Sequence, residues 1–384
     1  MTDTPDATAP LAGLRVLDLS RLFPGAYCTA LLADLGADVV KLEGPGYGDG
    51  MRFMGEEFPS AHWAFNRGKR SVTLNLKHED GLDVLRRLAR DADVVVESAR
   101  PGSMDRMGVG FDALRAENPG LIWCSITGFG PDGPNVDAPG HDLTYSGYAG
   151  LLSQFVVDDV PPVPAMTVTI PFAGILAAFG IVAALQGRSR TGVGTRVDAN
   201  MVDAGIWVLA EQMTRAANSP TPPWGTAAAR NNYRCADGRW ITCTSSEARA
   251  WAMLVEALEL PDLADHRIGD DEPAVIARVQ AAFATRPQSY WLEHPGLAGG
   301  VGPVNEAADL LDDPQVTHRD GMPRIGGDGP RVVANPLRFD RATGTAGSHA
   351  LRPAPGLGEH TDEVLREAGF GAEEIAGLHD GQAV

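Results

Sequence analysis

The sequence predicts an α/β protein: a Rossmann-like large domain with a largely parallel sheet, followed by a smaller α+β domain. Three observations carry this. Short apolar, β-rich runs alternate with helix-period segments through the first half. A Pro-rich stretch, Ser219-Pro220-Thr221-Pro222-Pro223, then separates that half from a hairpin pattern. Finally, 384 residues exceed one ordinary core, since a domain takes roughly 100–200 residues.

In order, Leu14 to Leu19 reads as a strand, and Pro24-Gly25 opens a helix through Leu35 with Cys28, Leu31, Leu32 and Leu35 at helical spacing. Asp38 to Glu43 is a second strand, followed by a Gly-rich loop from Gly44 to Gly50. A strand at Ser71 to Leu76, a helix from Glu79 to about Asp91 and strands at Val94 to Val96 and Leu121 to Ile126 continue the alternation. Ligands of such sheets bind beyond the carboxyl ends of the strands, so the loops after Leu19, Glu43, Glu97 and Ile126 are the places for a site. Phe172 to Leu185 reads as a buried helix, too short for a membrane span. A strand at Arg196 to Asp198 and a helix near Met201 to Met213 precede the linker. Beyond it come a hairpin turning at Ala236-Asp237-Gly238, helices at Ala248 to Leu258 and Glu272 to Ala284, and a tail helix through Glu363 to Leu365. The expected domains are 1–218, 219–325, and a return of the chain to the large domain over 326–384.

Composition narrows the function. Against 32 Lys+Arg stand 50 Asp+Glu, a net charge of −18 that disfavours nucleic acid as a partner. No window approaches the roughly 18 unbroken apolar residues of a membrane span, and the acidic start lacks a secretory pattern, so the expectation is a cytoplasmic protein. Cys28, Cys124, Cys235 and Cys243 form no CxxC pair, which points away from a zinc site and a disulfide framework, and no metal is expected.

Several patterns suggest chemistry. His141, between Pro139-Gly140 and Asp142, is a candidate proton carrier, histidine being the side chain that titrates nearest neutrality. Gly128-Phe129-Gly130-Pro131-Asp132-Gly133 has the spacing of a dinucleotide loop, but Pro131, Pro134 and Pro139 prevent the helix such a loop needs. The basic cluster Arg67, Lys69 and Arg70, with Lys77, Lys41 and Arg100 near other strand ends, is either a phosphate site or a solvated face. Glu247 follows the hairpin, where it either reaches a cleft or opens the next helix. Phe53, Met54, Phe58 and Trp224 are either walls for an apolar ligand or core.

Together these segments resemble the family III CoA-transferases, the group that also contains α-methylacyl-CoA racemase. The likeness runs through Leu11 to Leu19, Leu32 to Lys41, Asn66 to Ser71, Glu97 to Gly102, Thr127 to Gly130 and Gly356 to Thr361. It implies an acyl-CoA substrate held by Lys41, Arg67, Arg70 and Arg100, the matching positions, to which Lys69 of the same basic cluster is added as a candidate, and an interlocked homodimer with its active site between subunits. Gly140 to Tyr145 is more similar to the racemase branch, in which a His at position 141 and an Asp further on face the α-carbon. Glu247 matches a family Glu that orients the His.

One departure stands out. The resemblance places Pro171 where the family has its catalytic Asp, and no carboxylate lies between Asp159 and Asp198. Three functions follow: proton abstraction at the α-carbon by His141, with Thr169 or Tyr145 as a nearby hydroxyl; CoA transfer with Asp142 or Glu247 as substitute nucleophile; or a CoA-binding subunit that needs a heteromeric partner. The presence of both His141 and Glu247 favours the first.

Overall fold

The computed structural model describes residues 8–55, 57–219, 226–266, 269, 271–339 and 352–384. The chain divides into two compact units, Met1–Ala217 with Asp320–Val384, and Asn218–Arg319. The return begins at Asp320, earlier than the 326 read from the sequence. Most of the linker, and Trp224, lie outside the described residues.

In the large unit six strands alternate with helices: β1 (Arg15–Asp18), α1 (Phe23–Asp34), β2 (Asp38–Glu43), α2 (Ser60–Asn66), β3 (Arg70–Thr73), α3 (Glu79–Arg90) and β4 (Val94–Glu97). Then follow α4 (Ser103–Arg106), α5 (Phe111–Glu117), β5 (Ile122–Thr127), α6 (Asp142–Tyr148), α7 (Thr169–Thr191), β6 (Arg196–Asn200), α8 (Met201–Val208) and α9 (Ala210–Asn218). All strand pairs are parallel, in the order β3-β2-β1-β4-β5-β6. The order reverses between β1 and β4, and the crevice there is where such sheets bind ligands.

Burial on both faces explains the unbroken Val/Ile/Leu runs. Leu17, Val40, Val95 and Trp123 pack under α3 and α5, while Val16, Val39, Val94, Ile122 and Cys124 pack under α1 and α7. α1 starts at Phe23, one residue before the Pro24-Gly25 pair expected to open it, and Pro24 fits its first turn because no hydrogen-bond partner is needed there. α7 departs more. It runs for 23 residues, long and apolar enough to cross a membrane by length and composition. Its small residues Ala173, Ala177 and Ala178 pack into the unit, but Phe172, Ile175, Phe179 and Val182 are exposed, so the helix is buried along one stripe and not all round.

The small unit holds an antiparallel sheet of β7 (Arg230–Arg234), β8 (Trp240–Thr244) and β9 (Val301–Pro303). It is packed by α10 (Ala248–Ala257), α11 (Glu272–Phe283) and α12 (Gln288–Glu293), and α13 (Pro314–His318) closes the segment. The returning tail forms α14 (Thr361–Glu367) and α15 (Ala372–Asp380). It covers edge strand β3: the Ser71 carbonyl accepts from the His360 amide at 2.9 Å and Thr361 Oγ1 accepts from the Thr73 amide at 3.1 Å.

Candidate functional site

Beyond the carboxyl ends of β1 and β4, the two loops at the reversal are tied together, the Arg21 amide donating to Ser98 Oγ at 2.9 Å. Leu22 adopts φ 59° and ψ −149°, a conformation nearly reserved for glycine. Asp49 holds it there, accepting from the Leu22 amide at 3.1 Å and the Met51 amide at 2.9 Å. Arg21 and Arg100 stand exposed on these loops.

Beneath lies a buried ionic network. Asp18 accepts from Lys69 at 3.1 Å and Thr29 at 2.6 Å, and Lys41 lies 3.0 Å from Asp49 and donates to the Ser20 carbonyl at 3.0 Å. Burial opposes the charge on Asp18, but Lys41 and Lys69, with Ser20 and Thr29, outweigh it and hold the carboxyl well below its usual range. Burial pushes Lys69 down to about 8 in spite of Asp18, whereas Asp18 and Asp49 overcome burial and raise Lys41.

This network changes how the basic cluster is read. Lys41 sits inside β2, not after it, and both it and Lys69 are enclosed. Arg67 pairs with Asp34 at the end of α1. Arg70 pairs with Asp38 at 2.6 Å, Glu363 at 3.0 Å and Glu367 at 2.9 Å. Asp34 and Asp38 flank the start of β2, so these two arginines lie at the amino edge of the sheet, away from the reversal crevice. Their charge is spent on internal carboxylates. Of the predicted cations, Arg100 is exposed on the loop at the reversal, where Arg21 joins it, and Lys77 is exposed after the outer strand β3.

The second half of the site is at α6 and α7. His141 is the exposed N-cap residue of α6, and its side chain caps nothing. Asp142, the next residue, is buried and turns its carboxylate to the start of α7, accepting from the Val168 amide at 2.8 Å, Thr169 Oγ1 at 2.8 Å and the Ile170 amide at 3.0 Å. This is an N-cap supplied from another helix. It commits both Asp142 and the fully buried Thr169 to holding α7 in place. Pro171 falls in the first turn of α7, where its missing N–H leaves no bond unmade. Burial, and then the Asp142 charge, push the phenol of Tyr27 on α1 above its usual range. α1 reaches α7 so closely that a Cβ on Gly174 would lie 2.6 Å from Tyr27 Cβ.

The glycine-rich run 128–133 forms turns with no helix after it, and a Cβ on Gly128 would meet the Tyr145 ring at 2.6 Å. Its glycine serves packing. Glu247, in the small unit, is the exposed N-cap residue of α10. Phe53, Met54 and Phe58 are exposed, not core. The sequence reading missed Arg21 and Tyr27. The loop after Leu19 was already marked as a ligand position, which was signal enough for Arg21; Tyr27 occupies an ordinary helix position and carried none.

Residues 11–361 match the family model described as CoA-transferase family III. The chain belongs to that family. It is 33% identical to succinate–glutarate CoA-transferase of Agrobacterium fabrum, over 96% of this chain and 98% of that one. To human alpha-methylacyl-CoA racemase it is 31% identical, with 97% of each chain covered. The beta subunit of succinyl-CoA–L-malate CoA-transferase of Chloroflexus aurantiacus is 30% identical over the full length of both. A crystal structure of a CAIB/BAIF family protein from Brucella suis superposes with a TM-score of 0.82 at 31% identity, covering 94% of this chain and 99% of that chain. Family membership thus leaves transferase and racemase chemistry both in range.

Proposed function

We propose that the chain binds an acyl-CoA with its phosphates at the β1–β4 reversal, near Arg21 and Arg100, and that His141 removes and returns the proton on the carbon next to the thioester carbonyl. The thioester acidifies that proton. Neutral imidazole accepts it, leaving an enolate, and the resulting imidazolium gives it back. Return to the opposite face is racemisation; return to the same face is silent exchange. The observation that supports this reading over covalent transfer is the state of Asp142: the Val168 and Ile170 amides and the Thr169 and Ser146 hydroxyls donate to its buried oxygens, so it is not free to attack a thioester. Incubation of an α-methylacyl-CoA in heavy water tests it. Deuterium should enter the α-carbon with the parent protein and not with His141→Ala; equal uptake by both, or none by either, overturns it.

The exposed stripe of Phe172, Ile175 and Phe179 on α7, with Trp207 on α8, supports an assembly in which a second copy covers it. If a CoA-transfer partner subunit covers it instead, the chain is a CoA-binding subunit, and turnover appears only when that partner is added.

A further inference from the structure

Three consecutive amides lead from β1 into α1, and each donates to a side chain at the carboxyl end of a different strand. Ser20 donates to Asp18 at the end of β1 at 3.0 Å, Arg21 to Ser98 after β4 at 2.9 Å, and Leu22 to Asp49 after β2 at 3.1 Å. The Ser20 carbonyl accepts from Lys41 of β2. The turn is pinned residue by residue.

The third of these bonds works against strain. At φ 59° and ψ −149° a side chain crowds its own backbone, and Leu22 stays there only because its surroundings demand it. Asp49 makes that demand. Its buried carboxylate lies 3.0 Å from Lys41 Nζ and also accepts from the Met51 amide, which caps the short turn Gly50–Phe53. Its own amide donates to Glu43 at 2.9 Å, and Arg52 and Ser71 donate to Glu43 in turn. Asp49 is thus fixed to β2 and β3 before it reaches Leu22.

What this conformation sets is the direction of the residue before it. Relaxing Leu22 to an ordinary negative φ would rotate the chain by about 120° and swing Arg21 with it. The Arg21 side chain is exposed, and among the described residues no ion pair or hydrogen bond takes its guanidinium, in contrast to Arg52, Arg67 and Arg70.

We infer that Asp49, paired with Lys41, is a positioning residue for CoA binding: through the backbone of Leu22 it aims Arg21 at the phosphates, without touching the ligand itself. The inference rests on the phosphate placement proposed above; the clamp does not.

Calorimetric titration of the full chain with CoA, in a cycle of Arg21→Ala, Asp49→Ala and the double variant, tests it. In the parent, Arg21→Ala should cost about threefold to tenfold in affinity. In the Asp49→Ala background, where Arg21 is no longer aimed, the same substitution should cost less than about twofold. Glycine takes φ 59° without strain, so Leu22→Gly added to Asp49→Ala should recover about twofold or more of the affinity lost. Should Asp49→Ala fail to fold by circular dichroism, Asp49→Asn, which keeps one acceptor oxygen, carries the same cycle with a smaller coupling. Losses that simply add, a CoA affinity untouched by Asp49→Ala, or no recovery with Leu22→Gly would overturn the inference and leave Arg21 at the phosphates. No loss for Arg21→Ala in the parent would overturn both.

Discussion

Asp142 is the residue whose replacement separates the present reading from covalent catalysis. In Asp142→Ala, the fully buried Thr169 hydroxyl loses its acceptor, which costs about 1–3 kcal/mol. The Val168 and Ile170 amides are half-buried and regain water in part, so they add the smaller penalty of a lost cap, about 0.5–2 kcal/mol. Together the loss is about 3 kcal/mol. Asp142→Asn keeps an oxygen for one side of the site but points an NH2 at the other donors, for a loss of about 1–2 kcal/mol. Urea denaturation followed by circular dichroism gives the stabilities, and amide hydrogen exchange at 168–172 should accelerate in both variants. A loss for Asp142→Ala below about 0.5 kcal/mol, with exchange unchanged, would show that the carboxylate does not hold α7. A hydroxylamine-sensitive acyl adduct mapped to Asp142 would refute the assignment outright.

Asp18 gives a pH test. Its carboxyl is held below the usual range, so its stabilisation is complete above about pH 4 and is lost as pH falls further; Asp18→Asn should lack that acid slope and be less stable by about 3–5 kcal/mol at neutral pH, as read from urea midpoints between pH 3 and 8. Arg21→Ala and Arg100→Ala should each weaken CoA binding by about threefold to tenfold and flatten its salt dependence. Arg70→Ala should instead leave CoA affinity intact and lower stability by about 1–2 kcal/mol, since its three partners are internal carboxylates; a CoA defect in that variant alone would reverse the assignment. Phe179→Asp places a charge on the exposed stripe of α7 and should convert a dimer to a folded monomer in light scattering, whereas a parent that is already monomeric would remove the reason for a second copy.

What the sequence made legible follows from the range of the forces involved. The parallel strands are readable because each is buried on both faces, and the β7–β8 hairpin because Asp237-Gly238 mark its turn, Gly238 having φ 81°. α6 is not readable: Asp142–Tyr148 is short, contains Gly147 and Thr144, and shows no apolar period, so His141 passed for a loop residue. The cations misled for a related reason. Asp18 and Lys69, or Arg70 and Glu367, are far apart in the chain, so local inspection cannot tell a cation awaiting a phosphate from one already paired.

The adjacency of His141 and Asp142 bears most directly on the chemistry. The N-cap residue has an extended backbone, φ −132° and ψ 174°, and the residue after it is helical; the two side chains leave the chain in different directions, one to solvent and one into the fold. Asp142 grips the start of α7, so the backbone that carries His141 is fixed against the segment where the family resemblance expects a catalytic carboxylate. Here that segment presents Thr169 turned toward Asp142 and Pro171 in the first helical turn, a residue that fits the helix start without strain and brings no reactive atom. Proton transfer by His141 needs no reactive atom from that segment, whereas an enzyme-bound acyl group does, and this is the ground of the proposed reading.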